Sequence, residues 1–189
     1  MCGNATYQEG FYEELIGGRV IVRSSDFTGH NRIKGNFYRI FSTYLLGRSC
    51  EPFDDGEDVY LTPEDRFIPD FMVACDPEKV QNDGVHGAPD LVAEVLSPST
   101  AHNDRGRKMQ AYAQCGVKEY WIVTPGEKTI EQYLNKDGQF FLDAVYALHS
   151  ELALKRMSER ERSAVVTQFR CSLFDDLDIA LEDVFYRTT

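Results

Sequence analysis

Apolar residues recur along this chain at two different spacings, which predict where its helices and strands lie. The first spacing is helical and covers residues 30–46, where it is carried by Ile33, Phe37, Ile40, Phe41, Tyr44 and Leu45. The second is typical of buried strands, as in PDLVAEVL at 89–96 and EYWIV at 119–123. Between these two strands, Asn103 or Asp104 can cap a helix that runs to about Cys115.

The remaining apolar runs predict further strands on both sides of this segment. Gly17-Gly18 predicts a two-residue hairpin turn near the start, and the polar stretch 78–88 predicts a loop. The other predicted elements are a strand over 50–62 broken by an acidic turn, a strand over 66–77, a hairpin of 129–134 and 139–147, a strand near 164–169 and a short helical end. This order predicts one α+β (α/β) domain over residues 1–189, with a mixed central sheet flanked by helices and extra hairpins at the termini.

Two acidic residues interrupt the apolar strand at 89–96. Side chains alternate in a strand, so Asp90 and Glu94 share one face while Leu91, Ala93 and Val95 point into the core. Burying carboxylates is costly unless a partner compensates their charge, and a divalent cation is one such partner.

A third acid and a lysine extend this set. Asp70 lies in the preceding predicted strand, and neighbouring strands would place it beside Glu94. Mg²⁺ takes one or two carboxylates and completes its shell with water and a substrate phosphate. Lys108 can reach back from the following helix to stabilise the transition state, and Tyr112 faces the same way one turn later. The pattern indicates a metal-dependent nuclease core, although helix lysines are also commonly solvated and Tyr112 also suits packing.

The charge, the apolar runs and the cysteines indicate which partners, location and redox state to expect. The net charge of −11 argues against a protein that coats nucleic acid nonspecifically, although residues 31–50 carry four bases and no acid. No apolar run is long enough for a membrane helix, and the start lacks signal-peptide features, so we expect no membrane association and a cytoplasmic location. The five scattered cysteines are expected to be reduced and mostly buried.

The chain resembles the Uma-two family of restriction-endonuclease-like proteins (domain of unknown function eight-twenty), within the PD-(D/E)xK nuclease superfamily. The segments that carry the resemblance are FYEELIGGRVIV, the helix over 30–46, IPDFMVACDP, APDLVAEVLSPST, DRGRKMQAYAQCGVKEYWIV and LFDDLDIALEDVF. They extend over nearly the whole chain.

The resemblance implies an αβββαβ core and Mg²⁺-dependent hydrolysis of phosphodiester bonds, with Mn²⁺ as an alternative ion. The superfamily aspartate corresponds to Asp70 and the (D/E) position to Glu94. Leu96 stands where the pattern has lysine, so the resemblance moves the lysine role to Lys108. Asp90 is expected as a further metal ligand or a supporting group.

Other interpretations stay open at this point. Glu14 and His30 could approach the site, although an ordinary structural role is favoured for both. The fold could instead serve as a catalytically silent DNA-binding or regulatory module, or as a phosphoesterase acting on small nucleotides. DNA is the expected substrate and a homodimer is a reasonable expectation, since nucleases that cut both strands commonly pair two sites. The sequence indicates neither a cognate site nor a biological role.

Overall fold

The computed structural model describes residues 11–24 and 27–188, and within them the chain forms fourteen strands and six α-helices. The strands are β1 (Phe11–Ile16), β2 (Arg19–Ser24), β3 (Glu51–Asp54), β4 (Val59–Thr62), β5 (Asp65–Phe67), β6 (Phe71–Ala74), β7 (Val80–Gln81), β8 (Gly84–His86), β9 (Leu91–Val95), β10 (Glu119–Thr124), β11 (Thr129–Lys136), β12 (Gln139–Ala147), β13 (Gln168–Arg170) and β14 (Asp178–Ala180). The helices are α1 (Thr28–Leu45), α2 (Ala101–Asp104), α3 (Arg107–Cys115), α4 (Glu151–Arg156), α5 (Glu159–Ser163) and α6 (Leu181–Val184).

The central sheet has the strand order β12-β11-β10-β9-β6-β3. Strands β9 and β10 are parallel and are joined by α2 and α3, whereas the other neighbouring pairs are antiparallel. Read along the chain, α1, β3, β6, β9, the α2–α3 crossover and β10 form an αβββαβ core. The predicted fold class is therefore confirmed.

A second six-stranded sheet, of order β2-β1-β5-β4-β8-β7, was not predicted as a separate unit. The predicted strand over 50–62 divides into β3 in the central sheet and β4 in the second sheet, and the strand over 66–77 divides into β5 and β6 in the same way. The predicted loop over 78–88 is also wrong, because it contains β7 and β8. Strand β8 depends on parallel pairing with β4, a partner that local sequence does not reveal.

The central sheet is buried on both faces. On one face α1 contributes Phe37 and Phe41, which pack against Phe71 and Trp121. On the other face the second sheet contributes Phe67 and α3 contributes Tyr112, which form one cluster with Met72, Val92 and Ile122 of the central sheet. Every residue of β9 is consequently buried, as is usual for a strand in a parallel pair between two layers.

Two glycines shape the helical segment between β9 and β10. The single helix expected to end near Cys115 is interrupted at Gly106, where an added Cβ would lie 2.7 Å from the carbonyl oxygen of His102. Gly116 ends α3 in the left-handed conformation at φ 99°, as the sequence predicts. The helix predicted over 30–46 is confirmed as α1.

The predicted terminal elements are also present. Gly17-Gly18 connects β1 to β2, and β11 and β12 form the second hairpin. The predicted strand near 164–169 is β13, which pairs with β14, and α6 forms the short helical end. None of the helices in the described part of the chain is long and apolar enough to cross a membrane.

The cysteines differ from the expectation, because Cys50 and Cys75 form a disulfide. Glu51 pairs with Ala74, so the antiparallel register of β3 and β6 brings the two adjoining cysteines together. The two cysteines are 25 residues apart in the sequence, and their spacing does not reveal this pairing. Cys115 and Cys171 are free thiols, and Cys2 lies outside the described residues.

The carboxylate of Glu119, at the start of β10, is a buried hydrogen-bond acceptor that ties the C-terminal segment to the central sheet. It accepts hydrogen bonds from Trp121 Nε1 at 2.5 Å, Gln132 Nε2 at 2.6 Å, Ser172 N at 2.8 Å and Ser172 Oγ at 2.5 Å. Several donors around one carboxylate compensate the cost of its burial. Glu119 therefore has a structural role.

The disulfide makes a direct prediction for peptide mapping. In protein purified without reductant and alkylated before trypsin digestion, the peptides 49–66 and 67–79 should be recovered as one disulfide-linked species. Reduction should separate them. Mass spectrometry of the two digests makes the comparison, and alkylated Cys50 and Cys75 in the unreduced digest would show that the bond does not form.

The Glu119 network predicts a large loss of stability on substitution. Glu119→Ala leaves several buried donors without an acceptor, so the free energy of unfolding should fall by about 3 kcal/mol. The exposed Glu127 provides the control, since Glu127→Ala should change it by less than about 0.5 kcal/mol. Urea denaturation measures both variants, and equal effects would contradict the structural role.

Candidate active site

Asp70 and Glu94 lie side by side, as predicted. Phe71 of β6 pairs with Ala93 of β9, so the next antiparallel position places Asp70 opposite Glu94. Asp70 Oδ2 also accepts a hydrogen bond from the backbone N–H of Val95 at 2.7 Å. The two carboxylates, respectively 1% and 0% exposed, therefore share one buried face of the central sheet.

Lys108 of α3 points into the same place and is itself only 1% exposed. Its Nζ lies 2.7 Å from Glu94 Oε1, 3.0 Å from Glu14 Oε1 and 3.5 Å from Asp104 Oδ1. The structure therefore brings together the three residues predicted as the core of the site, Asp70, Glu94 and Lys108. It adds two carboxylates around the ammonium.

Tyr112, one turn after Lys108 on α3, supports Glu94. Its hydroxyl donates to Glu94 Oε1 at 3.3 Å, and its ring packs against Phe67 and Tyr120. Burial, followed by the nearby Glu94 carboxylate, raises the pKa of Tyr112 well above its ordinary value. The residue is therefore a neutral hydrogen-bond donor that is also part of the core.

Two further acids reach this cluster from different directions. Glu14 comes from β1 of the second sheet, and its Oε1 also accepts a hydrogen bond from the backbone N–H of Ile68 at 2.9 Å. Asp104 lies at the end of α2, four residues before Lys108. The i, i+4 spacing of Asp104 and Lys108 was a signal that sequence analysis overlooked. Nothing local predicts Glu14, since its position depends on how the second sheet packs.

The cluster contains more negative than positive charge. Three carboxylates, those of Glu14, Glu94 and Asp104, contact the ammonium of Lys108, and the carboxylate of Asp70 lies beside Glu94. All four are at most 2% exposed. Burial raises the pKa of Glu94 well above its ordinary value, Lys108 opposes this shift, and the neighbouring carboxylates add to it. Glu94 Oε2 is buried and accepts no hydrogen bond. The site therefore favours an additional positive charge next to Glu94.

His30 connects this cluster to a surface cavity. It lies in the first turn of α1, and its Nε2 is 3.3 Å from Asp70 Oδ2. It also lines a cavity of about 470 Å³ at the carboxyl ends of β9 and β10, together with Phe27, Gly29, Leu96, Ser97, Pro98, Ala101, Thr124, Pro125 and Gly126. A ligand in this cavity would lie next to His30, within reach of the acids behind it.

Asp90 does not join this cluster, contrary to the expectation of a further metal ligand. Its Oδ1 lies 2.7 Å from Lys118 Nζ, and its Oδ2 accepts a hydrogen bond from the backbone N–H of Cys75 at 2.8 Å. It lies four positions before Glu94 in extended chain, a distance of roughly 13 Å at the usual rise per residue. Strand alternation predicts that Asp90 and Glu94 share a face, but it does not predict that their carboxylates are close enough to bind one ion. The expectation that Asp90 is a metal ligand failed for this reason.

The comparisons with known proteins agree with this architecture. Residues 6–163 match the model of the Uma2 family, which carries the description "Putative restriction endonuclease". The chain belongs to the Uma2 family. The resemblance that the sequence motifs indicate is thus confirmed, and membership supports a nuclease-like function.

Related proteins include two from Synechocystis sp. (strain PCC 6803), both described as uncharacterised. One, slr1290, is 28% identical over 144 residues, which covers 75% of this chain and 76% of the relative. The other, sll1609, is 27% identical over 149 residues and covers 76% and 84% respectively. Their names add no activity to the family assignment.

A solved structure shares the fold of this Uma2 protein. It is a crystal structure from Anabaena variabilis described as "a putative nuclease belonging to DUF820", and it matches with a TM-score of 0.68. The match covers 92% of this chain and 89% of the other at 16% sequence identity. At this identity the likeness shows the fold alone.

The residues of the Uma2 site fit a divalent ion that needs few protein ligands. Across the described residues no three side chains of His, Cys, Asp or Glu already converge on one metal position. Mg²⁺, however, commonly uses one or two carboxylates and keeps several waters. Asp70, together with the buried Glu94 oxygen that has no hydrogen bond, supplies such a pair.

This fit predicts that divalent ions stabilise the folded protein. Saturating Mg²⁺ or Mn²⁺ should raise the thermal unfolding midpoint by about 5 °C or more, since ligand binding to the native state adds to its stability. Glu94→Gln should lose this response, because the amide carries no charge to attract the ion. Asp90→Asn is the matched control and should keep it. Differential scanning calorimetry with chelator and with each metal checks the prediction, and an unchanged response in Glu94→Gln would contradict it.

Proposed function

We propose that this protein is a divalent-metal-dependent endonuclease that hydrolyses phosphodiester bonds in DNA. The observation that carries the proposal is the buried cluster in which Asp70, Glu94 and Lys108 meet, with more carboxylates than cations and one Glu94 oxygen that has no hydrogen bond. The nuclease-like family and the shared fold support it.

In this proposal Asp70 and Glu94 would hold Mg²⁺, for which Mn²⁺ can substitute. When bound, such an ion would lower the pKa of coordinated water and offset negative charge on the scissile phosphate. The N–H of Val95 fixes the orientation of Asp70, while Tyr112 and Lys108 fix that of Glu94. The carboxylates are therefore preorganised before any ligand arrives, which reduces the reorganisation that binding requires.

Lys108 would supply positive charge beside the reacting phosphate. Glu14 and Asp104 lie on either side of Lys108 Nζ and keep the ammonium next to Glu94. An ammonium in this position stabilises the negative charge that develops on the phosphate oxygens during hydrolysis, and it can orient the attacking water. Glu14 and Asp104 act through Lys108 as positioning residues.

A second candidate, a phosphoesterase acting on nucleotides, is favoured by the charge pairing on α1. Three of the four bases in residues 31–50 are paired with acids: Lys34 Nζ lies 2.9 Å from Asp55 Oδ2, Arg39 Nη2 lies 3.8 Å from Asp183 Oδ1, and Arg48 Nη2 lies 3.1 Å from Asp176 Oδ2. Paired bases release few counterions on binding a long polyanion. A small substrate that enters through the cavity beside His30 requires no such surface.

The proposal predicts that cleavage depends on Glu94 and Asp70 and not on Asp90. With Mg²⁺ or Mn²⁺, plasmid nicking should fall about a thousandfold or more in Glu94→Gln and in Asp70→Asn, because each change removes a charge that would hold the ion. Asp90→Asn should keep wild-type activity. Gel assays of nicking, with circular dichroism to confirm folding, measure these effects.

Undiminished nicking by folded Glu94→Gln would rule out the assigned site. Parallel assays of phosphate or nucleoside release from mononucleotides and dinucleotides distinguish the two candidates. Metal-dependent turnover of small substrates without plasmid nicking would favour the phosphoesterase.

A further inference from the structure

The cavity at the carboxyl ends of β9 and β10 is mostly apolar, although it adjoins the buried acids. Leu96 follows directly on Val95, whose N–H binds Asp70, so the cavity begins where the strand that holds the acids ends. Its volume of about 470 Å³ lies within the range of about 300–1,000 Å³ that is usual for ligand pockets. The apolar part of its wall consists of Phe27, Leu96, Pro98, Ala101 and Pro125. This space therefore suits an apolar group next to the proposed phosphate site better than it suits a second charge.

Phe27 gives this cavity an exposed aromatic surface. The residue directly precedes α1 and is 76% exposed. The N–H of Asn31 donates to the Phe27 carbonyl oxygen at 3.1 Å, which ties the backbone of Phe27 to the first turn of the helix. A single exposed apolar residue is common and needs no explanation by itself. Phe27 differs because it lines a cavity beside the acids, where a flat ring can stack on it.

The depth of the acids limits how a nucleic acid can reach them. Asp70 is 1% exposed and Glu94 is 0% exposed, so a phosphodiester has to pass below the protein surface to meet an ion that they hold. Enzymes whose chemistry lies in such a pocket act on single strands or move the target nucleotide out of the duplex stack. The paired bases in residues 31–50 agree with this, because they leave little positive charge for the two backbones of a duplex.

We propose that the cavity binds the base of an unpaired nucleotide, stacked on Phe27, and that the preferred substrate is single-stranded or locally unpaired DNA. The inference rests on the proposed function, since the phosphodiester next to that base is the one that meets the ion at Asp70 and Glu94. Aromatic side chains are common platforms for unpaired bases. His30 is not required as a contact, because its imidazole stays beside Asp70.

The polar groups near the cavity favour stacking over reading of the base edge. Ser97 lines the cavity, and its Oγ lies 3.0 Å from both Ser99 Oγ and Thr100 Oγ1. Its hydroxyl is therefore already engaged with its neighbours. Stacking tolerates every base, since each has a π-face, so we expect only a weak preference among the four bases.

Photochemical cross-linking tests the contact without relying on cleavage. A thymine tract of about 12 nucleotides, in which 5-iodouracil replaces thymine, is irradiated with the protein in Ca²⁺ instead of Mg²⁺, and a gel confirms that the strand stays intact. 5-Iodouracil cross-links to aromatic rings that stack on it, so mass spectrometry should locate the adduct at Phe27, in the tryptic peptide 24–32. The same strand annealed to its complement should give about fivefold less product or lower, because its bases are held in the stack.

Fluorescence anisotropy with a labelled thymine tract supplies matched variants. Phe27→Ala should weaken binding about fivefold or more, the effect expected from loss of one stacked base, and Phe27→Trp should keep wild-type affinity. Phe141→Ala is the control, because Phe141 is 50% exposed on β12 and lies outside the lining of this cavity. Circular dichroism confirms that each variant is folded.

Substrate preference provides a further readout. With Mg²⁺ or Mn²⁺, kcat/KM should be about tenfold or more higher for a single strand than for a linear duplex, since a base has to leave the stack first in the duplex. Nicking of supercoiled plasmid agrees with this preference, because negative supercoiling favours local opening of the duplex.

The outcomes separate this inference from the proposed function. Binding that Phe27→Ala leaves unchanged, or equal cross-linking of single strand and duplex, would overturn the base site, while nicking that depends on Glu94 would keep the proposed function. An adduct confined to another peptide would also overturn the base site. An adduct at Phe27 in a protein that cleaves no DNA with either metal would support the base site and overturn the proposed function.

Discussion

The ammonium of Lys108 lies among three carboxylates inside the protein, and the two sheets and the α2–α3 crossover meet around this charge cluster. Each partner comes from a different part of the fold: Glu14 from the second sheet, Glu94 from the central sheet, and Asp104 from α2. Removing one member of a buried ion pair typically costs about 3–5 kcal/mol, because the remaining charge is left without compensation. The relative position of these elements is therefore coupled to the pairing of Lys108.

Packed side chains, a disulfide and hydrogen bonds surround the cluster. The aromatic residues of α1 close one face of the central sheet, while Tyr112, Tyr120 and Phe67 close the other beside Lys108. The Cys50–Cys75 disulfide links the edge strand β3 to β6, the strand that begins directly after Asp70. Glu119 fixes the start of β10, next to β9, to the C-terminal segment. The acids are thus held by the sheet, while the cavity beside His30 provides the approach to them.

An acidic protein with a buried, acid-rich site is an unusual partner for DNA. The bases of α1 do little to offset this acidity. Residues 31–50 carry a local excess of bases, but the structure pairs most of them with acids from distant segments. Charge summed along the sequence therefore overstates the positive potential of this surface. A bound cation would offset the excess of buried carboxylates at the site, and without one the burial of Glu94 favours its protonated form.

Local patterns determined much of this protein. Periodicity located α1, β9, β10 and both hairpins, because each of these depends on alternation, helical spacing or turn residues within a short window. The acids Asp70 and Glu94 were recognisable because charged residues in apolar strands are costly to bury without a purpose. Only the tertiary structure decided which strands entered the second sheet, that Cys50 meets Cys75, that Glu14 and His30 reach the acids, and that Asp90 does not. Those outcomes depend on strand register and on packing between residues far apart in the chain. Such contacts produce no periodic pattern in the sequence, so local spacing cannot predict them.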